Sequence, residues 1–543
     1  MRLAWLLAGA TVAAALAPLG IALPVDAPHP IPDVVAGFTV APVATTADVA
    51  VLSALAWGPG DADGPDLYGA AFVGNKVVRM SFLWTPLGPV FTGASTHAAG
   101  FSSPLGVVFD AAGNMYVADS HEGSESGRID GRVWRVAPDG SMSAVVDGLP
   151  NGRHNTNHLR FGPDGRLYIS NGNPNDNGIA GGDKDVFPYS GAFLSVDAAE
   201  VSASPAILHW DDANGNAIPE DQIATHPRNA DFASKVHVLA YGFRNIFGLA
   251  FGPNGDAYTG MNGADDPSSQ DAFFRIPAGT QGANHGFPFC YNVGPPGGVG
   301  AAVSVQANPT FPGHDCTGVP PAEALLGWHV CATGIDYPTE GPWAFKGAFG
   351  NSLYVGECTA FFVEEQMLTD NPTYNTAHKV ARVALDDQGR ATGVDDFLTG
   401  LALPTDVLFG PDGAMYVADT VVVYRVANAL APVRLTPPAS CGTGTPYLGV
   451  GAGVVTATSN AYVAVEATEP RQYVLAGPAG ALQSPYLNAW GGPGCQALLC
   501  IGQDILYSET CSLPAGSFVF EVEWRSGLGA SPVQPFVVTE LPS

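Results

Sequence analysis

An all-β chain, built as a six-bladed β-propeller followed by a small disulfide-bonded β-sandwich domain, is the fold this sequence predicts. Three observations predict it. One hairpin signature recurs six times along the chain. The composition holds 67 Gly and 46 Pro among 543 residues with only 13% charged side chains, which suits a turn-rich β protein better than a helical one. The eight cysteines split into two groups of four, on either side of the point where the signature stops.

The chain begins MRLAWLLAGATVAAALAPLGIALP, in which Arg2 precedes an apolar run and small residues such as Gly20 and Ala22 offer a peptidase site. Residues 1–22 therefore read as a secretory signal. The run is interrupted by Pro18 and Pro24 and is short for a spanning helix, so a membrane anchor is the weaker reading. The mature chain is expected in the extracellular space or periplasm, with no integral membrane segment after cleavage. Disulfides suit that compartment, and no CxxC spacing points to zinc. A net charge of −28 would repel phosphate backbones, which excludes nucleic acid as a partner.

The signature is clearest in LGVVFDAAGNMYVADS (105–120), HLRFGPDGRLYISNG (158–172), FGLAFGPNGDAYTGMNG (247–263) and TDVLFGPDGAMYVADT (405–420), with weaker copies at 54–72 and 343–358. Each joins an apolar strand to a second strand through a Gly/Asp/Asn turn that tolerates positive φ. Each second strand is centred on a tyrosine: Tyr68, Tyr116, Tyr168, Tyr258, Tyr354 and Tyr416. A third strand follows most copies, as in KVVRM (76–80), RVWRV (132–136), AFFRI (272–276), KVARV (379–383) and VVYRV (422–426). Repeated small sheets around an axis leave only short, protected edges, so six copies imply six blades over about residues 36–430. The wide gaps between Tyr168, Tyr258 and Tyr354 then hold long insertions, candidate walls of a site.

Beyond about residue 436 the signature is lost, and segments such as AYVAVEAT and SFVFEVEW alternate apolar and polar residues. Residues 436–543 are expected to form the β-sandwich-like domain, a possible glycan- or protein-binding module. Cys290, Cys316, Cys331 and Cys358 should pair among themselves, as should Cys441, Cys495, Cys500 and Cys511; the pairings within each group stay open.

His154 lies seven positions before Phe161, the last apolar residue ahead of its turn, and Arg244 lies seven before Phe251 in the next copy. Equivalent positions in a radial array face the same mouth. A histidine beside an arginine there can act as a base near neutral pH while the guanidinium steadies a developing oxyanion, as alcohol oxidation needs. The plainer reading makes His154 a loop residue capping the blade through Asn155 or Asn157, and His158, nearer the strand, a structural histidine.

GRHNTNHLRFGPDGRLYISNG and GFRNIFGLAFGPNG resemble the histidine and arginine-asparagine signatures of soluble glucose/sorbosone dehydrogenases, six-bladed propellers that use pyrroloquinoline quinone (PQQ) and calcium. DAFFRIPAGTQGANHGFPFCYN and ANGNAIPEDQ resemble further stretches of that family, and the likeness spans about residues 100–428. The resemblance implies His154 as general base, Arg244 as the partner of the quinone oxygens, and Asn245 and Asn262 as further cofactor contacts. It implies calcium on the carbonyls of Gly263 and Ala264, and a sugar or related alcohol as the substrate. Leu403 and Thr405 stand where the family usually has arginines, and Thr359 where many members have a lysine, which predicts weaker quinone binding than the family norm.

Two other readings belong beside this one. A propeller of the same kind without catalysis would bind a glycan or protein. A lactonase-type hydrolase would need a central carboxylate-rich metal site, for which Asp119, Asp265 and Glu357 are the candidates. The run from Asp211 to Asn216 reads as a solvated turn or, less simply, as a calcium loop.

Overall fold

The computed structural model describes residues 32–428, apart from 47–48, 61–63, 86–87, 121–127, 176–178, 181–182, 185–188, 265–268, 342 and 359–376, together with backbone strands between 448 and 541. The expected signal segment, Thr359 and Asp265 lie outside the described residues, as do the side chains of the last four cysteines. The chain divides into two compact units. One comprises Met1–Ala36, Ala44–Ser81 and Gly93–Ala427; the other comprises Gly37–Val43, Phe82–Thr92 and Asn428–Ser543.

The first unit is a six-bladed propeller. Its innermost strands, blades one to six, are Ala54–Gly58, Pro104–Phe109, Thr156–Phe161, Asn245–Phe251, Ala332–Asp336 and Pro404–Phe409. Each pairs antiparallel with the second strand of its blade, and these are Asp66–Ala71, Met115–Asp119, Leu167–Asn171, Ala257–Asn262, Ser352–Glu357 and Met415–Asp419. A third strand follows in each sheet, including the five expected from sequence. Asp33–Val34 pairs with the outer strand of blade five, Ala391–Thr399. Blade one is tied to blade six by Thr46 N to Val421 O at 2.8 Å and Leu52 N to Thr420 O at 3.0 Å.

The tight turns follow from glycine. Gly113, Gly165, Gly255 and Gly413 occupy one position of the hairpins in blades two, three, four and six, all with φ between 78° and 81°, a region that L side chains rarely adopt.

All six signature tyrosines sit on successive second strands, and their spacing explains why they recur. Each ring leans on the last large side chain of the next blade's inner strand: Tyr68 on Phe109, Tyr116 on Phe161, Tyr168 on Phe251, Tyr354 on Phe409, and Tyr416 on Trp57, with centroids 4.6–5.6 Å apart. The ring of contacts thus closes from blade six to blade one. Blade five ends its inner strand in Asp336 instead, and Tyr258 reaches it through its hydroxyl, which donates to Gly389 O at 2.7 Å. Directly opposite five of these tyrosines, across the sheet, stands an arginine: Arg79, Arg135, Arg275, Arg382 and Arg425. Blade three has Ser195 there and takes its guanidinium from Arg166, whose Nε donates to Ser195 Oγ.

The long insertions carry the helical residues and a disulfide. Ala198–Ala203 and Ala230–Lys235 are short helices between the third and fourth strands of blade three, packed into the core through Val201 and Phe232. Cys290 pairs with Cys316, and Cys331 with Cys358, so the first four cysteines bridge among themselves. No helix among the described residues is long and apolar enough to cross a membrane.

In the second unit the backbone beyond residue 448 forms two sheets. Five strands are ordered Leu448–Gly449, Ala461–Ala467, Gly516–Glu523, Tyr486–Gly491 and Ala497–Gly502, and three are ordered Ser508–Leu513, Arg471–Ala476 and Val537–Leu541.

Candidate functional site at the rim of blades three and four

The innermost strands of blades three and four begin on one rim, and the residues that precede them meet there. His154, two residues before its strand, is 8% exposed. Its Nδ1–H donates to Asn173 O at 2.5 Å. A carbonyl only accepts, so this nitrogen carries the hydrogen and Nε2 is the one that takes up a proton in the neutral ring. Asn173 follows the second strand of blade three, and its own N–H donates to Arg244 O at 2.7 Å. One residue thus ties the histidine to the arginine.

Arg244 is 3% exposed just ahead of the inner strand of blade four, and its Nη1 donates to Asn262 O at 3.1 Å. Asn245 lies opposite Asn262 in the same hairpin. Its Oδ1 accepts from Asn157 Nδ2 at 2.9 Å, which links blade four back to blade three. Gly172 is fixed by this crowding: a Cβ there would lie 2.5 Å from His154 Cβ and 2.7 Å from Asn245 Oδ1. His154, Arg244, Asn245 and Asn262 therefore form one cluster, in which the seven-residue offset had placed only His154 and Arg244.

The next two residues of blade four are held by the side chains of Asp271 and Ser269. Gly263 N donates to Asp271 Oδ1 at 2.8 Å and Ala264 N to Ser269 Oγ at 2.9 Å, so both amides are engaged. A Cβ at Gly263 would meet Ser269 Oγ at 2.4 Å, which leaves room only for glycine. Asn262 Oδ1 is buried without a hydrogen-bond partner. An orphaned carboxamide oxygen, on the residue that immediately precedes Gly263 and Ala264, is a donor of the kind a hard cation takes.

Asn173 and Asp271 carried no usable signal in the sequence, which offered Glu357 only as a candidate ligand of a central metal site. Asn173 sits in an asparagine-rich run in which nothing marks it. Asp271 begins the third strand of blade four and accepts from Gly263 N and, at 2.7 Å, from Cys331 N. Burial pushes its carboxyl above the ordinary range. Glu357 ends the second strand of blade five, and its partner Lys379 begins the third. Glu357 is fully buried, neither of its oxygens has a hydrogen-bond partner, and Lys379 Nζ lies 3.4 Å from Oε2. Burial raises this carboxyl to about 8 despite the ammonium, which Asp396 shares at 2.5 Å.

Other candidates fall outside the cluster. Asp119 accepts from Ser102 N, Ser103 N and Trp134 Nε1, so its carboxylate serves the backbone. Asp212 accepts from Asn214 N and Asn216 N, which closes the 211–216 run as an exposed turn. At blade six the N–H groups of Ala402 and Leu403 donate to Asp419, and Thr405 Oγ1 donates to Ala418 O. His158 turns toward the propeller axis rather than the rim cluster, with Nε2 3.5 Å from Asp406 Oδ2.

No protein-family model matches the chain, and no curated protein matches it. Solved structures do. One described as the calcium structure of a family AA12 carbohydrate-active enzyme from Trichoderma reesei has a TM-score of 0.54 at 16% identity, over 74% of this chain and 98% of that one. Another, described as the holo form of the PQQ domain of pyranose dehydrogenase from Coprinopsis cinerea, has a TM-score of 0.52 at 15% identity, over 74% of this chain and 98% of that one. At such identities the likeness is one of fold.

Proposed function

We propose that this chain is a secreted, PQQ-dependent oxidoreductase that oxidises a sugar or related alcohol, with calcium beside the quinone. The observation that carries the reading is Asn173, whose carbonyl orients a base and whose N–H holds the backbone of a buried guanidinium. Two structures of like fold, one described as a PQQ domain in holo form and one as a calcium structure, support it. Export through residues 1–22, and a glycan- or protein-binding role for residues 436–543, belong to the same proposal.

Asn262 Oδ1 and the carbonyls of Gly263 and Ala264 would hold the calcium, and Arg244 and Asn245 the quinone oxygens. When bound, PQQ supplies an electrophilic centre that accepts hydride. His154 Nε2 takes the hydroxyl proton of the substrate. The Asn173 carbonyl stabilises the resulting imidazolium, because the Nδ1–H bond becomes charge-assisted. Arg244, anchored on Asn262 O, keeps a fixed positive charge where negative charge develops on oxygen.

The test is titration of PQQ into the protein at millimolar calcium, followed by dye reduction with a panel of aldoses, deoxysugars and polyols. Saturable binding with substrate-dependent dye reduction is expected. Failure to bind PQQ at micromolar concentration overturns the reading in favour of a second one, a non-catalytic propeller that binds a glycan or protein. Leu403 and Thr405 favour that alternative, since they bring no cation to the blade-six rim for the carboxylates of the quinone.

A further inference from the structure

The proposed reaction leaves a second set of buried ionisable groups unused, on the axis of the propeller. In a ring of six, blades three and six lie opposite one another, and blades three and five are separated by blade four. Side chains of their innermost strands meet only across the axis. His158 of blade three places Nε2 3.5 Å from Asp406 Oδ2 of blade six, with both side chains almost fully buried. Two residues further along the same strand, and so on the same face, Arg160 places Nη2 3.7 Å from Asp336 Oδ2 of blade five. The groups therefore form two layers, one nearer the rim that carries His154 and one nearer the opposite face.

The two aspartates are held by the backbone. Asp406 accepts from Leu55 N at 2.6 Å and Val407 N at 2.9 Å, and Asp336 from Phe409 N at 2.7 Å. Their nitrogen partners are not held in this way. His158 Nδ1, His158 Nε2 and Arg160 Nη2 are all buried without a hydrogen-bond partner, and Phe247 is the aromatic neighbour of the imidazole at 5.7 Å. Arg160 has only a long Nε contact of 3.4 Å to Leu249 O besides its ion pair. Three orphaned nitrogens on two alternate residues of one axial strand are partners of the kind that buried water takes.

We propose that the axis is a hydrated proton path from the rim to the opposite face, with His158 as its proton-holding group nearest the rim. A proton taken up at one ring nitrogen leaves from the other, toward Asp406 or through water toward the Arg160–Asp336 layer. As the outlet for the proton that His154 collects, the path rests on the proposed oxidation. As a hydrated, proton-exchanging axis it does not.

The first experiment uses the apo protein. Exchange of the imidazole C2 hydrogen for deuterium requires both a proton on the ring and water beside it, and mass spectrometry reads it for each histidine. His237 is the exposed reference, and His285, packed against Phe243 and Phe274 and kept neutral by burial that lowers its ring to about 4, is the buried one. His158 is expected to exchange at least about tenfold faster than His285. Exchange no faster than at His285 overturns the proposal. The second experiment reads proton release with an indicator dye in protein loaded with PQQ and mixed with substrate and a one-electron acceptor, whose reduction carries off the two electrons and leaves the two protons of the oxidised alcohol to be released. Slower release in His158→Phe, or in Arg160→Met should the first variant not fold, supports conduction; unchanged release overturns it. Failure to bind PQQ sinks the function proposed above and leaves the exchange result to decide whether the axis is wet.

Discussion

The rims of blades two and six differ from those of blades four and five at the end of the second strand. Asp119 and Asp419 lie opposite Pro104 and Pro404 in the same register. Each accepts from two backbone N–H groups just ahead of its own blade's inner strand. Asn171 of blade three is also engaged, donating to Pro150 O and Tyr189 O. In blade five the residue is Glu357; in blade four that position is Met261 and the strand ends one residue later, at Asn262. The buried oxygens of Glu357 and Asn262 have no hydrogen-bond partner. The end of the second strand thus serves the fold on one side of the ring and is left for something else on the other. Buried unsatisfied groups in a native protein call for a bound partner or a functional cost; Asn262 falls next to Arg244, and Glu357 within electrostatic reach of Asp271.

The sharpest way to break this contrast is His154→Ala. Turnover should fall by about 10²–10⁴-fold, the span of a positioned acid–base group, with the melting temperature nearly unchanged. Equal losses of stability and rate would return His154 to a capping role and leave the rim without a base. On the engaged side, Asp419→Ala strands the N–H groups of Ala402 and Leu403. Denaturant unfolding should show a loss of about 1–3 kcal/mol, with the midpoint of calcium binding untouched. Asn262→Ala should do the opposite, raising the calcium midpoint about tenfold with little effect on stability in chelator. Calcium binding unaltered by that change would assign the orphaned oxygen to something other than a cation.

Much of this was legible in the sequence because the repeat repeats physics. A tyrosine must meet the next blade's aromatic, and a glycine must take positive φ, so both recur at fixed offsets, and the offset from Phe161 and Phe251 brought His154 and Arg244 to one rim. Asn173, Asp271 and Glu357 were not legible in their roles. Each acts through a contact made across blades or along a loop: Asn173 through backbone atoms alone, Asp271 through the N–H of Cys331 sixty residues on. Glu357 stands where its counterparts are aspartates that cap the backbone, and only burial shows that it does not. The axial pairs are invisible for the same reason, since His158 and Asp406 are 248 positions apart by residue number.

The prediction that bears most directly on the contrast is that for Glu357→Gln. Burial raises the folded carboxyl to about 8, whereas in the unfolded chain it ionises in the ordinary carboxylate range. Between those values the folded protein binds one proton more than the unfolded one, so this group's contribution falls as pH rises toward 8 and levels off above it. Glutamine cannot ionise and keeps the neutral, uncharged shape. The variant should therefore match the parent near pH 5 and exceed it in stability near pH 9, as read from urea unfolding at both values. A Glu357→Gln protein that is instead less stable at pH 9 would mean that Glu357 is ionised and held by Lys379 in the folded state. Blade five would then join blades two and six as a rim whose carboxylate serves the fold, and the orphaned acceptor of blade four, beside Arg244, would stand alone as the mark of the site.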